Sequence, residues 1–253
     1  MSIKTATAAG VATLEMARPQ KKNALTHAMY ETMAGAISAA EADEDVRALL
    51  IIGQPGVFTA GNDLEDFLQR PPANEDAPVY RFMRRLASFE KPVVAAVNGA
   101  AVGIGTTLLL HCDLVYVSAD AQFSMPFVRL GLVPEFASSL LLPQVMGHAK
   151  AAAALLLGEP MTAGQAEACG IATAVLPPGE VVAHARQIAE RFNFLPPAAV
   201  RATKRLMRLG WRRSIEETLR DEAAVFLECL ASAEAKEAFA AFFAKRRPDF
   251  AKF

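Results

Sequence analysis

Residues 91–105 read Lys-Pro-Val-Val-Ala-Ala-Val-Asn-Gly-Ala-Ala-Val-Gly-Ile-Gly, and the fold turns on how they are read. From Pro92 to Val97 the run is small or β-branched and apolar without alternation, the mark of a strand buried on both faces. Asn98-Gly99 closes it, and a loop of small residues carrying Gly103 and Gly105 leads into the apolar segment 105–111, which reads as helix. The same pattern recurs at 48–52, closed by Gly53, at 114–117 and at 172–176, while 10–16 alternates apolar and polar residues as a half-buried strand does. Helical segments fall between them at 79–89, 134–145, 148–157 and 179–191, and Thr26 is placed to cap a helix running to about Glu41. Strand and helix in alternation predict an α/β domain with a parallel sheet and crossover connections. Periodicity alone does not tell a plain doubly wound sheet from another parallel arrangement.

After Pro196-Pro197 the character changes, and 198–210, 215–230 and 234–243 read as amphipathic helices with no strand between them. The chain therefore divides into an α/β core, 1–195, and a helical region, 196–253. The 253 residues carry 26 Lys+Arg against 27 Asp+Glu, a net charge of -1, and 53% are hydrophobic. That balance excludes a disordered chain and argues against nucleic acid or a membrane surface as partner, since both demand cationic patches. Cys112, Cys169 and Cys229 lie far apart and form no Cys-x-x-Cys pair, so buried thiols are expected rather than a metal site or disulfides. The apolar stretches 99–110 and 151–158 fall short of the ~20 residues of a spanning helix. Residues 1–9 lack the apolar core of a secretory signal, and the last three residues are not a peroxisomal address; a cytoplasmic location is expected.

Three places carry chemical promise. Phe58-Thr-Ala-Gly-Asn-Asp-Leu64 and Asn98-Gly-Ala-Ala-Val-Gly-Ile-Gly105 follow buried strands, and in a parallel sheet such loops gather at one edge, where ligands bind. Small residues there let backbone N–H groups approach a substrate oxygen, and two converging loops could supply two donors to one oxyanion; close helix–strand packing would require the same residues. Residues 103–108 have Gly-x-Gly without the third small residue of a dinucleotide fingerprint, and no P-loop, His-Glu-x-x-His or Gly-x-Ser-x-Gly motif occurs. The third place is Leu130-Gly-Leu-Val-Pro-Glu-Phe-Ala-Ser-Ser139. Pro134 fits the first position of a helix, which puts Glu135 in its first turn. An acid there is favoured simply by the helix dipole, yet the apolar flanks Leu132, Val133 and Phe136 would raise its proton affinity toward that of a general base. Both readings stand on sequence.

Taken together, Arg18-Pro-x-x-x-Asn23-Ala-Leu25, Phe58-x-Ala-Gly-x-Asp63-Leu64, Lys91-Pro-x-x-Ala-x-x-Asn98-Gly99, Val102-Gly-x-Gly105, Cys112-Asp113, Ala121-Gln-Phe123 and Gly164-Gln-Ala-x-x-x-Gly170-Ile resemble, in order and spacing, the crotonase (enoyl-CoA hydratase/isomerase) superfamily. The resemblance implies a crotonase-like spiral of repeated ββα units instead of the doubly wound sheet. It also implies a C-terminal helical trimerisation region, assembly as a homotrimer or hexamer, and acyl-CoA thioesters as substrates, with no metal and no cofactor beyond the CoA of the substrate. By the same resemblance the oxyanion donors are the N–H groups of Asn62 and Ile104. Ala24 and the stretch Ala60, Gly61, Asp63 and Leu64 line the coenzyme path, beside Gly103. Lys21 and Lys22 are placed to meet phosphates or are merely solvated turn lysines, and the tail basic run 245–247 could meet phosphates of a neighbouring subunit.

The two water-activating glutamates of the family's hydratases align with Thr107 and Phe127, neither of which transfers protons as a carboxylate does. Ser124-x-Pro-Phe127-x-x-Leu-Gly131-x-x-Pro134-Glu135-x-x-Ser-Ser139 is instead similar to the peroxisomal-type enoyl-CoA delta isomerases, which implies Glu135 as the single catalytic base, shifting a 3-enoyl-CoA to the 2-enoyl isomer. Asp63 is expected to fix its loop, His111 to be a core residue, and the Pro-rich loop 71–78 to border the acyl tunnel. The rivals are another reaction of the superfamily, hydration included, and a non-catalytic acyl-CoA-binding or RNA-binding role. RNA binding would want a lysine-rich first helix, but 27–45 is alanine-rich and ends acidic.

Overall fold

The computed structural model describes residues 2–74 and 76–253. Met1, and Glu75 in the middle of the 71–78 loop, lie outside the described residues. In chain order the elements are β1 (Ile3–Ala8), β2 (Val11–Met16), α1 (His27–Ala42), β3 (Ala48–Ile52), β4 (Val57–Thr59), α2 (Leu64–Gln69), α3 (Pro78–Ser88), β5 (Val93–Val97), β6 (Ala100–Val102) and α4 (Ile104–Thr107). Then come β7 (Leu114–Ser118), β8 (Gln122–Ser124), α5 (Ser138–Met146), α6 (His148–Leu156), β9 (Met161–Thr162), α7 (Ala163–Ala168), β10 (Ala174–Leu176) and α8 (Val181–Glu190). The C-terminal helices are α9 (Pro197–Arg208), α10 (Arg212–Ala231) and α11 (Ala233–Phe243).

The strands form two sheets rather than one, which excludes a plain doubly wound sheet and agrees with the spiral that the resemblance implies. The larger runs β1-β2-β3-β5-β7-β10, parallel except for the β1–β2 pair, and the smaller runs β4-β6-β8-β9. Each of β3, β5 and β7 hands the chain to a three-residue strand of the second sheet before the next crossover, so the backbone winds as a spiral of ββα turns. Strands that short complete no hydrophobic period, which is why the sequence shows the long strands and hides the second sheet.

The unbroken apolar strands are buried on both faces, as their composition demands. Leu49, Ile51, Val93, Ala95 and Val97 face a core with Met33, Ile37 and Phe82, while Leu50, Val94 and Ala96 face Val181, Ala185 and Ala189 of α8. Two of the family's sequence anchors serve as fasteners of this frame. Lys91, buried, donates from Nζ to the carbonyls of Ala40 (2.7 Å) and Asp43 (2.6 Å) at the C-terminal end of α1, where a cation satisfies orphan carbonyls and meets the helix dipole. Asp113 accepts from the Val93 N–H (2.7 Å), from Lys204 Nζ (2.6 Å) and from Arg208 Nη2 (3.1 Å), tying α9 to the end of β5. Burial pushes Lys204 down to about 8, against the pull of Asp113.

One predicted boundary moves. The helix expected from Pro134 begins at Ser138, so Glu135 precedes it in an irregular stretch in which Phe136 and Ala137 take left-handed φ values of 65° and 55°. Among the described residues no helix is long and apolar enough to cross a membrane.

Replacing Asp113 with Ala strands the buried Lys204 ammonium and the Val93 N–H together. Asp113→Ala is therefore expected to lower stability by about 3–5 kcal/mol in urea unfolding at fixed protein concentration. Glu31→Ala, which breaks only an exposed pair with Arg81, is the control expected to show no change.

Candidate active site

The first glycine turn is held by buried polar contacts running back to the N-terminal motif. Asn23, fully buried with φ 55°, donates from Nδ2 to the carbonyls of Val57 (3.2 Å) and Phe58 (3.1 Å) and accepts from the Arg18 N–H (2.7 Å). Thr59 donates from its hydroxyl to Asn23 O (2.7 Å), and the same oxygen accepts from the Gly61 N–H (3.1 Å). Arg18 Nη1 reaches Asp63 Oδ2 at 2.6 Å, and Asp63 Oδ1 caps α2 by accepting from the Asp66 N–H (3.2 Å). Burial would raise the Asp63 carboxyl, but the Arg18 hydrogen bond and the Asp66 N–H, with the charges of Arg18 and Lys21, hold it below its usual range. Asp63 thus fixes its loop, as expected. The short bridge to Leu25 uses the Gly61 carbonyl and the Asp63 N–H, which leaves the Asn62 N–H outside that ladder.

The second turn lies against the first. Gly61, with φ +85°, sits where a Cβ would stand 2.8 Å from the Val102 carbonyl oxygen, and a Cβ on Gly105 would stand 2.5 Å from Thr59 Cγ2. Only glycine allows this approach. Ile104 is the first residue of α4, so its N–H has no intrahelical acceptor. The two turns follow β4 and β6 of the small sheet, not the long strands directly as the sequence suggested.

Glu135 completes the group. It is 6% exposed, and its Oε1 has no hydrogen-bond partner among the described residues. Burial, with the charge of Glu222 adding to it, pushes its carboxyl up to about 8. The helix dipole, which the sequence set against this rise, is taken by another acid: Glu222 of α10 accepts from the Ala137 N–H (2.6 Å), the Ser139 N–H (2.9 Å) and Ser139 Oγ (2.5 Å) at the start of α5. Phe136 is stacked on His111 with ring centroids 4.1 Å apart, and its carbonyl oxygen lies 2.8 Å from His111 Nε2. Burial pushes His111 down to about 3, so it is a neutral core residue.

A cavity of about 560 Å³ brings these parts together. It is lined by Lys21, Ala24, the run Ala60, Gly61, Asn62, Asp63 and Leu64, then Gly103, Ile104, Phe127 and Glu135. Lys22 is not in the lining; it caps the short 3-10 turn before it in a left-handed conformation, and its carbonyl accepts from the Ala60 N–H (2.9 Å). Thr107 is fully buried and not in the cavity lining, its hydroxyl without a hydrogen-bond partner among the described residues. None of the described residues of the 71–78 loop lines the cavity. Phe226 of α10 and Ala238, Phe242 and Phe243 of α11 do, so the C-terminal helices close the cavity of their own chain. Of the tail basic run only Arg246 reaches the lining, and it is paired with Glu237 at 2.6 Å. A cavity of about 320 Å³ between α3 and α9 contains neither glycine turn nor Glu135.

Two neighbours of the site were not foreseen. Tyr30, on the apolar face of α1, donates its hydroxyl to Asn62 Oδ1 at 2.5 Å. Nothing in the sequence distinguishes it from its core neighbours. Glu222 left one trace, an acid in line with Phe226 and Leu230 on the inward stripe of an amphipathic helix.

The position of Glu135 has a thermodynamic signature. The folded protein keeps its proton up to about pH 8, whereas the unfolded chain releases it in the ordinary carboxylate range. Its contribution is therefore fully present below that range and is lost as pH rises toward 8. Glu135→Gln is expected to match the parent near pH 4 and to exceed its stability by on the order of a few kcal/mol at pH 8.5. A difference independent of pH in denaturant unfolding would contradict the assignment.

Comparison with known proteins agrees with this architecture. A family model described as enoyl-CoA hydratase/isomerase matches residues 6–252. The chain is 32% identical over 240 residues to 2,3-dehydroadipyl-CoA hydratase of Escherichia coli (strain K12), covering 94% of this chain and 93% of that protein. It is 36% identical over 223 residues to enoyl-CoA delta isomerase 2 of Homo sapiens, covering 85% of this chain but 56% of the human protein. Among solved structures, Pseudomonas aeruginosa OdaA aligns with a TM-score of 0.93 and 51% identity over 95% of this chain and 98% of that one. Relatives named for hydration and for isomerisation stand at similar identity, and neither name decides the reaction. The glycine turns, the two-sheet spiral and the family match over nearly the whole length have one meaning: the chain belongs to the enoyl-CoA hydratase/isomerase family, whose acyl-CoA enzymes are built on the crotonase fold.

Proposed function

We propose that the protein is an enoyl-CoA isomerase that moves the double bond of a 3-enoyl-CoA to the 2-position, with Glu135 as its single base. One observation carries the reading. The carboxylates lining the cavity, among the described residues, are Asp63, Glu65 and Glu135; Asp63 is bound to Arg18, Glu65 lies 3.5 Å from Lys21, and Glu135 alone is buried with an unpartnered oxygen. Addition of water by two acids has no second acid to use. Phe127 lines the cavity where the resemblance places one of the hydratase glutamates, and there it helps to exclude water.

The thioester oxygen is held by the Asn62 and Ile104 N–H groups, which acidify the hydrogens on C2. The Glu135 carboxylate takes one of them: the C2–H pair forms C1=C2 and the C1=O pair moves onto the thioester oxygen, giving a dienolate that keeps C3=C4. The neutral Glu135 then returns its proton to C4: the oxygen pair re-forms C1=O, the C1=C2 pair becomes C2=C3, and the C3=C4 pair binds the proton, leaving the conjugated 2-enoyl-CoA. Losing one oxyanion donor costs about 2.7–4 kcal/mol of barrier in comparable sites. A base whose proton affinity lies near neutrality both accepts and returns the proton readily. The pantetheine path follows Ala24 and residues 60–64, with Lys21 offered to phosphate. The reading extends to a homotrimer or hexamer in the cytoplasm.

With a 3-enoyl-CoA substrate, kcat/KM is expected to rise with pH through an apparent pKa near 8, because only the ionised base is productive. Glu135→Gln is expected to lower turnover by about 10²–10⁴-fold while still binding product. Undiminished turnover in that variant removes Glu135 from the mechanism. Hydration is the second reading, favoured by the relative named 2,3-dehydroadipyl-CoA hydratase. Water addition to a 2-enoyl-CoA as fast as isomerisation, in the same preparation, would replace the first reading with it.

A further inference from the structure

We propose that Glu222 of α10 is a positioning residue for Glu135: it clamps the left-handed turn that follows the base and stations a second carboxylate behind it. The inference rests on the reading of Glu135 as the base and adds a group outside the cavity lining.

The turn needs a clamp. Phe136 and Ala137 both have positive φ, and neither is glycine; side chains make that conformation costly unless the surroundings impose it. Three hydrogen bonds from the turn and the start of α5 converge on the Glu222 carboxylate: Ala137 N–H at 2.6 Å on Oε2, Ser139 N–H at 2.9 Å and Ser139 Oγ at 2.5 Å on Oε1. The N–H groups at a helix start are orphan donors, and an acid placed there is the natural acceptor. Glu222 occupies that position from a different element, and Glu135 keeps an Oε1 with no hydrogen-bond partner among the described residues. Phe226, one helical turn beyond Glu222, lines the cavity itself, so α10 presents one residue behind the base and one to the acyl space.

The surroundings make the pair of acids the responsive groups near neutral pH. The titratable side chains coupled to the base or its turn are Tyr30 from α1, Tyr80 from α3, His111 from the turn after α4, and Glu222 from α10. Burial raises both tyrosines above their usual value and holds His111 down at about 3, so none of the three changes charge between pH 5 and 9. Beyond Tyr80, Asp76, Arg84, Glu216 and Arg220 line a separate cavity. Burial raises Glu222 to about 7 against its three hydrogen bonds. A purely structural helix cap would hold α5 without affecting the proton on Glu135.

The test uses the full chain as parent, Glu222→Gln and Glu222→Leu. The Glu135 carboxyl is titrated by infrared difference spectroscopy, its band identified by loss in Glu135→Gln, and the pH profile of kcat and KM is taken with a 3-enoyl-CoA. Glu222→Gln keeps the volume and one acceptor but removes the charge. Its Glu135 band and the acid limb of kcat/KM are expected to move to lower pH by about one unit, with KM near that of the parent. Glu222→Leu also frees the turn, and kcat is expected to fall about 10- to 100-fold with less change in KM. An unmoved Glu135 band in Glu222→Gln overturns the proposal, and this variant decides alone if Glu222→Leu does not fold. A shifted band in a protein that does not isomerise sustains the placement of Glu222 and rejects the proposed function; Glu135-dependent isomerisation with an unmoved band does the reverse.

Discussion

The site depends on the approach of two backbones at Gly61, where a single added carbon would meet the Val102 carbonyl at 2.8 Å. Asn62 and Ile104, the proposed oxyanion donors, come from turns that follow different strands, and both line one cavity because no side chain stands between those turns. Holding backbone that close is costly, and the fold meets the cost with buried polar groups that are all engaged. Asn23 hydrogen-bonds to three main-chain positions, Thr59 joins two more, and Arg18 closes the frame on Asp63. A loosened turn would separate Asn62 from Ile104 while leaving the sheets intact, so in the proposed reaction the motif at 18–25 holds the site without contributing a reacting group.

Four acids show how environment divides one functional group into different tasks. Asp63, beside Arg18, is held ionised below its usual range and fixes a loop. Asp113 joins α9 to the core through a lysine, an arginine and a main-chain N–H. Glu222 takes the orphan donors of α5 and is thereby satisfied although buried. Glu135 has, among the described residues, neither cation nor donor on Oε1, and burial, with the Glu222 charge adding to it, raises its proton affinity. An unpaired buried carboxylate is destabilising in a folded protein. The proposed reaction uses it: a group able to gain and lose a proton near neutrality.

The C-terminal helices belong to the site as well as to the frame. α9 is anchored by Asp113, and α10 and α11 then lie across the spiral core so that Phe226, Phe242 and Phe243 wall the cavity of the same chain. The cavity is therefore bounded by the core on one side and the helical region on the other. α10 carries both Glu222, whose charge acts on Glu135, and Phe226, which walls the cavity.

The long strands and the helices were legible because both carry a repeated pattern: unbroken apolar runs for strands covered on both faces, and 3.6-residue stripes for helices. The glycine turns and Glu135 were legible as a resemblance, since several separated motifs had to agree in order and spacing. The small sheet was not, because two- and three-residue strands carry no period, and neither was the start of α5, where Pro134 has the chemistry of a first helical residue but the chain turns left-handed at Phe136 and Ala137 first. Lys22 shows the limit at the level of one side chain: it sits beside Lys21 in the sequence, yet the left-handed residue that turns the chain there lies outside the lining. By itself the sequence determined an α/β core with a helical C-terminal region, two turns that only glycine could build, and an acid set among apolar residues. Tertiary structure alone decided that those turns touch, that Glu222 rather than Glu135 meets the helix start, and that Tyr30 reaches Asn62. Each of these is a contact between segments dozens of residues apart, set by packing and burial, which no local pattern encodes.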